Sequence, residues 1–102
     1  MVNALNRLIF AIDFDDTFTA DPDLWADFIR NAVSRGHIVY CVTARRDSEE
    51  NLDELQEAFR TCELFVPIVF CNMGSKLWTM EQRGVHVDIW IDDAPHSLVH
   101  GR

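Results

Sequence analysis

Four short apolar runs constrain this chain more than any other feature: Leu8–Asp13, His37–Thr43, Phe65–Phe70 and Val87–Ile91. Each is rich in β-branched or aromatic residues, and the segments between the first three carry helical spacing. A continuous apolar run of this length reads as a strand buried on both faces. Strands that alternate with helices read as a parallel sheet with helical crossovers. The predicted class is therefore α/β: a minimal Rossmann-like, three-layer sandwich around a short, mostly parallel four-stranded sheet. At 102 residues the chain accommodates one such domain, spanning 1–102.

The helix signals agree with this frame. Asp21-Pro22-Asp23 offers a capping side chain, a proline suited to the first helical position, and an acid at the positive end of the helix dipole. Leu24, Trp25, Phe28, Ile29, Ala32 and Val33 then form one apolar face, and Gly36 is placed to end the helix. A second helix is predicted from near Asp47, with Glu50 as capping-box partner and Leu52, Leu55, Phe59 and Cys62 as its stripe. Its Glu49, Asp53, Glu54 and Glu57 read as a solvated face. A short helix is expected over Lys76–Arg83, closed by Gly84, and Pro67 pushes the third strand toward a sheet edge.

Nine basic against seventeen acidic residues give a net charge of −8. Such a surface repels nucleic-acid backbones and anionic membranes at long range. No apolar stretch approaches the roughly 20 residues needed to cross a bilayer. The segment Met1–Arg7 lacks the basic-then-apolar pattern of a secretion signal. Cys41, Cys62 and Cys71 contain no C-x-x-C pair, and two of them fall inside strands. They read as reduced core thiols, consistent with a cytoplasmic protein.

Chemistry concentrates at the strand ends. Asp13-Phe14-Asp15-Asp16-Thr17 follows the first strand, Thr43 closes the second, and Asp92-Asp93 close the fourth. In a parallel sheet these positions share one edge, where open α/β sheets bind ligands. Crowded carboxylates repel unless a cation or proton joins them, and oxygen ligands suit Mg²⁺.

These motifs resemble the haloacid dehalogenase superfamily of phosphohydrolases. The D-x-D-x-T motif is matched by Asp13, Asp15 and Thr17, the strand-end Thr by Thr43, the helix-start Lys by Lys76, and the acidic pair by Asp92 and Asp93. The resemblance covers about residues 8–95. It implies a Mg²⁺-dependent phosphatase in which Asp13 is the nucleophile and Asp15 the general acid/base. Thr43 and Lys76 would bind the phosphoryl group. The metal would be held by Asp13, Asp92, Asp93 and the backbone carbonyl of Asp15, and Arg45 is a candidate substrate contact. Thr17 is expected to brace the turn.

The sequence departs from the family pattern in two ways. Asp16 stands where many members have Gly, and the sheet stops at four strands where fuller members carry a fifth. The missing strand suggests either a trimmed core or an edge completed in a homo-oligomer. The intervals Phe14–Ala20 and Cys71–Ser75 are too short for a cap domain. The site is thus expected to be open and able to take a bulky phosphorylated substrate. Two alternatives accompany this reading: a catalytically weak phosphate- or metal-binding module in a larger assembly, and a polynucleotide 3′-phosphatase-like domain. The second is suggested by Thr43-Ala44-Arg45 and opposed by the acidic charge.

Overall fold

The structure is a computed structural model that describes residues 6–101. The secretion-signal reading at Met1–Arg7 falls largely outside them. The elements run β1 (Ile9–Ile12), a 3₁₀ turn (Phe18–Ala20), α1 (Pro22–Ser34), β2 (Ile38–Thr43), α2 (Glu49–Thr61), β3 (Ile68–Phe70), α3 (Lys76–Gln82), β4 (Ile89–Ile91) and α4 (Ser97–His100). All three strand pairings are parallel, in the order β3-β2-β1-β4. The α/β class and the four-stranded sheet are as the sequence predicts, and the sheet is wholly parallel.

Period-two alternation sorts the core into two faces. Phe10, Ile12, Val39, Cys41 and Phe70 point to the face covered by α1 and α2, where they meet Ile29, Leu55 and Phe59. Ala11, Val42 and Val69 point the other way, onto Met80 of α3. The first face is aromatic: the Phe18 and Phe59 rings lie 4.6 Å apart, and Phe14 sits 6.0 Å from each. Burying one such ring is worth about 1.5–3 kcal/mol, so this cluster is a major source of cohesion. Asp13, Thr17 and Asp15 emerge directly around it.

Helix α1 starts as its sequence dictates, with the Asp21 carboxylate accepting from Leu24 N–H at 3.2 Å and Pro22 at the first position. Its expected apolar face is only partly buried, since Leu24 and Val33 are each 54% exposed. The start of α2 moves by one residue: Ser48, not Asp47, caps it by accepting from Asn51 N–H at 3.1 Å. Asp47 instead donates its N–H to the Asn72 side chain.

Two strands are shorter than their apolar runs. β3 begins only after Pro67, whose carbonyl accepts from Cys41 N–H, and Phe65 is left 91% exposed. It lies at the sheet edge, as Pro67 required. β4 begins at Ile89, two residues later than its apolar run; just before it, Asp88 clips onto Ile9 twice, accepting from its N–H at 2.8 Å and donating to its carbonyl at 2.8 Å. His37 has a structural role, its Nδ1 accepting from Leu8 N–H at 3.0 Å. Among the described residues no helix is long and apolar enough to cross a membrane.

Strand order positions the site. The chain lays β1, β2 and β3 outward on one side, then returns to place β4 on the other side of β1. The carboxyl ends of β1 and β4 therefore flank the point where connections diverge, the place where open α/β sheets bind ligands.

Candidate functional site

Asp13 and Asp92 are the residues that leave β1 and β4, and Asp13 N–H still donates to the Ile91 carbonyl at 2.9 Å. One oxygen each from Asp13, Asp92 and Asp93 lie within 4.8 Å of one another. Between the first two sits Lys76, at the start of α3. Its Nζ donates to Asp13 Oδ1 at 2.7 Å and to Asp92 Oδ2 at 2.6 Å. The Lys76 side chain is fully buried, and those of Asp13 and Asp92 are 3% exposed. Lysine is almost never buried to this degree unless paired, and here it has two partners.

Thr17 ties the acidic pair to the first motif. Its hydroxyl lies 3.3 Å from Asp13 Oδ2 and 3.2 Å from Asp93 Oδ1, and it accepts from Asp93 N–H at 3.1 Å. The bracing role expected of Thr17 is thus extended: it braces both strand ends, not the first turn alone. Asp92 Oδ1 accepts from Ala94 N–H, which orients the carboxylate.

Three carboxylates against one ammonium leave the cluster at 1 − 3 = −2. Burial pushes Asp13 up from the usual 3.8 to about 6. Hydrogen bonding and charge from Lys76 pull it down, while Asp92 and a hydrogen bond with Asp93 push it further up. All the clustered donors are carboxylate oxygens with unneutralised charge, so the residues fit a hard divalent cation such as Mg²⁺.

The predicted phosphate ligand Thr43 is completely buried at the end of β2 and accepts from Arg45 N–H at 3.2 Å, which leaves its own hydroxyl proton to donate. Asp15 points to a different partner from Asp13. Its two oxygens accept from Arg45 Nε and Nη2 at 3.0 and 2.9 Å. Asp16, where the family pattern has Gly, adopts φ +62°, the left-handed region glycine favours, and donates its N–H to Thr19 Oγ1 at 2.9 Å.

The loop feeding Lys76 is held from two sides. Asn72 and Met73, both at positive φ, donate their N–H groups to the carbonyls of Arg45 and Ala44. Gly101 packs against the same loop so closely that a Cβ there would fall 2.6 Å from the Met73 carbonyl oxygen. Ser75 caps α3 and donates to the Leu98 carbonyl at 2.8 Å. Lys76 is thereby placed by contacts of residues outside the acidic cluster.

A shallow depression of about 270 Å³ borders the cluster, floored by Trp25 and Ile91 and rimmed by Asp16, Asp92 and Asp93. A second depression of about 300 Å³ is lined by Phe59, Leu64 and Phe65 and by none of these carboxylates. All three cysteines are free thiols, and burial pushes the Cys41 and Cys71 thiols up, which makes them poor nucleophiles.

Sequence reading missed two residues on α2. Glu54, whose position in the sequence reads as a solvated face, binds Arg45 with both carboxylate oxygens, and Asn51 Oδ1 accepts from the same guanidinium at 3.0 Å. Their i, i+3 spacing places them on one helix face, but nothing local points that face at Arg45. Comparison with protein-family models, curated proteins and solved structures finds no match to this chain.

Proposed function

We propose that this chain is a Mg²⁺-dependent phosphohydrolase of the kind found in the haloacid dehalogenase superfamily, cleaving a phosphomonoester through an aspartyl-phosphate on Asp13. The observation that carries this reading is the buried Lys76, gripping Asp13 and Asp92 at the carboxyl edge of the sheet. Apolar side chains of similar volume often stabilise a core as well as a buried ion pair does, so an ammonium held between two carboxylates supports a chemical role here.

Asp13, Asp92 and Asp93 would hold the cation, together with the Asp15 carbonyl as the family resemblance implies. Bound there, it would supply charge neutralisation for an incoming phosphate. An Asp13 oxygen bonds to phosphorus as the ester P–O bond breaks, and the electron pair leaves with the departing oxygen. Asp15 protonates that oxygen, then takes a proton from the water that attacks the acyl phosphate and frees Asp13. Lys76 places positive charge beside the attacking carboxylate, and Thr43 donates its hydroxyl proton to a phosphoryl oxygen.

Only residues 13–21 separate β1 from α1, and residues 71–75 separate β3 from α3, so among the described residues no inserted cap closes the carboxyl edge. That openness favours a bulky phosphorylated substrate, and the charge of −8 ranks a polynucleotide end below other phosphomonoesters. Three free thiols accord with a cytoplasmic setting. The test is hydrolysis of an aryl phosphate with and without Mg²⁺. Asp13→Asn is expected to abolish it. Turnover that survives this substitution refutes the mechanism, and Mg²⁺-dependent stabilisation without turnover on a phosphoester panel identifies a binding module instead.

A further inference from the structure

Arg45 is saturated. A guanidinium has five N–H donors, and all five are engaged within the chain. Nε and one Nη2 hydrogen go to Asp15 at 3.0 and 2.9 Å. The second Nη2 hydrogen and one from Nη1 go to Glu54 at 3.0 and 2.9 Å. The remaining Nη1 hydrogen goes to Asn51 at 3.0 Å. The plate also lies over the buried Phe14 ring, 5.3 Å from its centroid. No donor is left over for a substrate while these bonds hold.

The two carboxylates use this plate unequally. Asp15 belongs to the D-x-D-x-T motif and sits in a loop, with its side chain 43% exposed. Glu54 stands on the rigid, thirteen-residue α2, whose cap and apolar stripe fix its backbone. An exposed loop carboxylate has several rotamers to choose from. A bidentate fork anchored on a helix selects one of them, because both N–H vectors must be matched at once.

Resting on the phosphohydrolase reading above, we infer that Glu54 is a positioning residue. It fixes the Arg45 fork, and Arg45 in turn orients the Asp15 carboxylate to take the proton from the attacking water, so Arg45 acts through Asp15 rather than by gripping substrate. Asn51 completes the anchor. The chain of contact is Glu54 to Arg45 to Asp15, and it joins α2 to the carboxyl end of β1.

Steady-state kinetics on an aryl phosphate with Mg²⁺ would test this with Glu54→Gln, which keeps the shape but replaces one acceptor oxygen with a donor amide. General acid–base assistance is worth roughly 10²–10⁴-fold, so losing its alignment should lower kcat by about tenfold while KM stays within about twofold. In an Asp15→Asn background the same change should have no further effect on kcat. An independent readout is the Arg45 Nε–H signal in NMR, protected in the native protein and exchanging faster in Glu54→Gln. Because Glu54 is exposed, the variant is expected to keep the native melting temperature, which is checked alongside.

An unchanged kcat in Glu54→Gln, or an equal loss in the Asp15→Asn background, overturns the inference while leaving the phosphohydrolase reading intact. Absence of turnover by the native protein overturns both. A rise in KM at constant kcat also overturns it, since that would mark Arg45 as a substrate grip.

Discussion

Replacing Lys76 by Met should destabilise the protein strongly at neutral pH and much less in acid. The substitution keeps most of the side-chain volume but removes the ammonium that bridges Asp13 Oδ1 and Asp92 Oδ2. The cluster then changes from 1 − 3 = −2 to 0 − 3 = −3. Leaving buried carboxylates without their partner costs about 3–5 kcal/mol. For a domain of this size that corresponds to a fall in Tm of about 12–20 °C.

The pH dependence follows from Asp13. In the native protein its carboxyl titrates at about 6 against 3.8 when exposed, so the folded state holds its proton more tightly than the unfolded state. Stability contributed by this group is therefore present below pH 3.8 and lost as pH rises toward 6. The interval is worth about 3 kcal/mol at about 1.4 kcal/mol per pH unit. Removing Lys76 deletes both influences that hold this value down and leaves burial, Asp92 and Asp93, which push it up. The window of loss then extends above pH 6, and the gap between variant and native protein widens there. Urea unfolding at pH 4.5, 6 and 8 would measure it, with added Mg²⁺ expected to recover part of the loss at pH 8. A variant within about 1 kcal/mol of the native protein at pH 8 would refute the view that Lys76 neutralises this cluster.

Two further outcomes are expected. If Mg²⁺ binds as proposed, it competes with a proton for Asp13, so calorimetric affinity should rise about tenfold per pH unit up to about pH 6 and flatten above it. Affinity that is constant between pH 5 and 6 would remove Asp13 from the ligand set. Asp16→Gly should stabilise the protein by about 0.5–1 kcal/mol in thermal melts, because φ +62° strains Asp but not Gly. A drop in Tm would show that the Asp16 carboxylate makes a contribution larger than the strain it carries.

What the sequence alone determined was whatever depends on local pattern. Apolar runs at Leu8–Asp13 and His37–Thr43 made strands, Asp21-Pro22 started a helix, and strand ends necessarily carried Asp13, Thr43 and Asp92 to one edge, since side-chain period and chain direction are properties of consecutive residues. Even there, boundaries shifted, as where β4 begins at Ile89, after Asp88 has bonded to Ile9 through its side chain as well as its backbone.

Only tertiary structure decided which charges meet. Lys76 is 63 residues from Asp13 and Glu54 is nine from Arg45; Glu54 reads as part of a solvated helix face, and the family resemblance assigns Lys76 to phosphate rather than to the two aspartates. Their partners follow from strand order and helix placement, which set distances between segments that no local spacing encodes. Electrostatic energy depends on those distances and on burial, so a lysine expected beside a phosphoryl group becomes, once β1 and β4 lie side by side, the buried counter-ion of two aspartates.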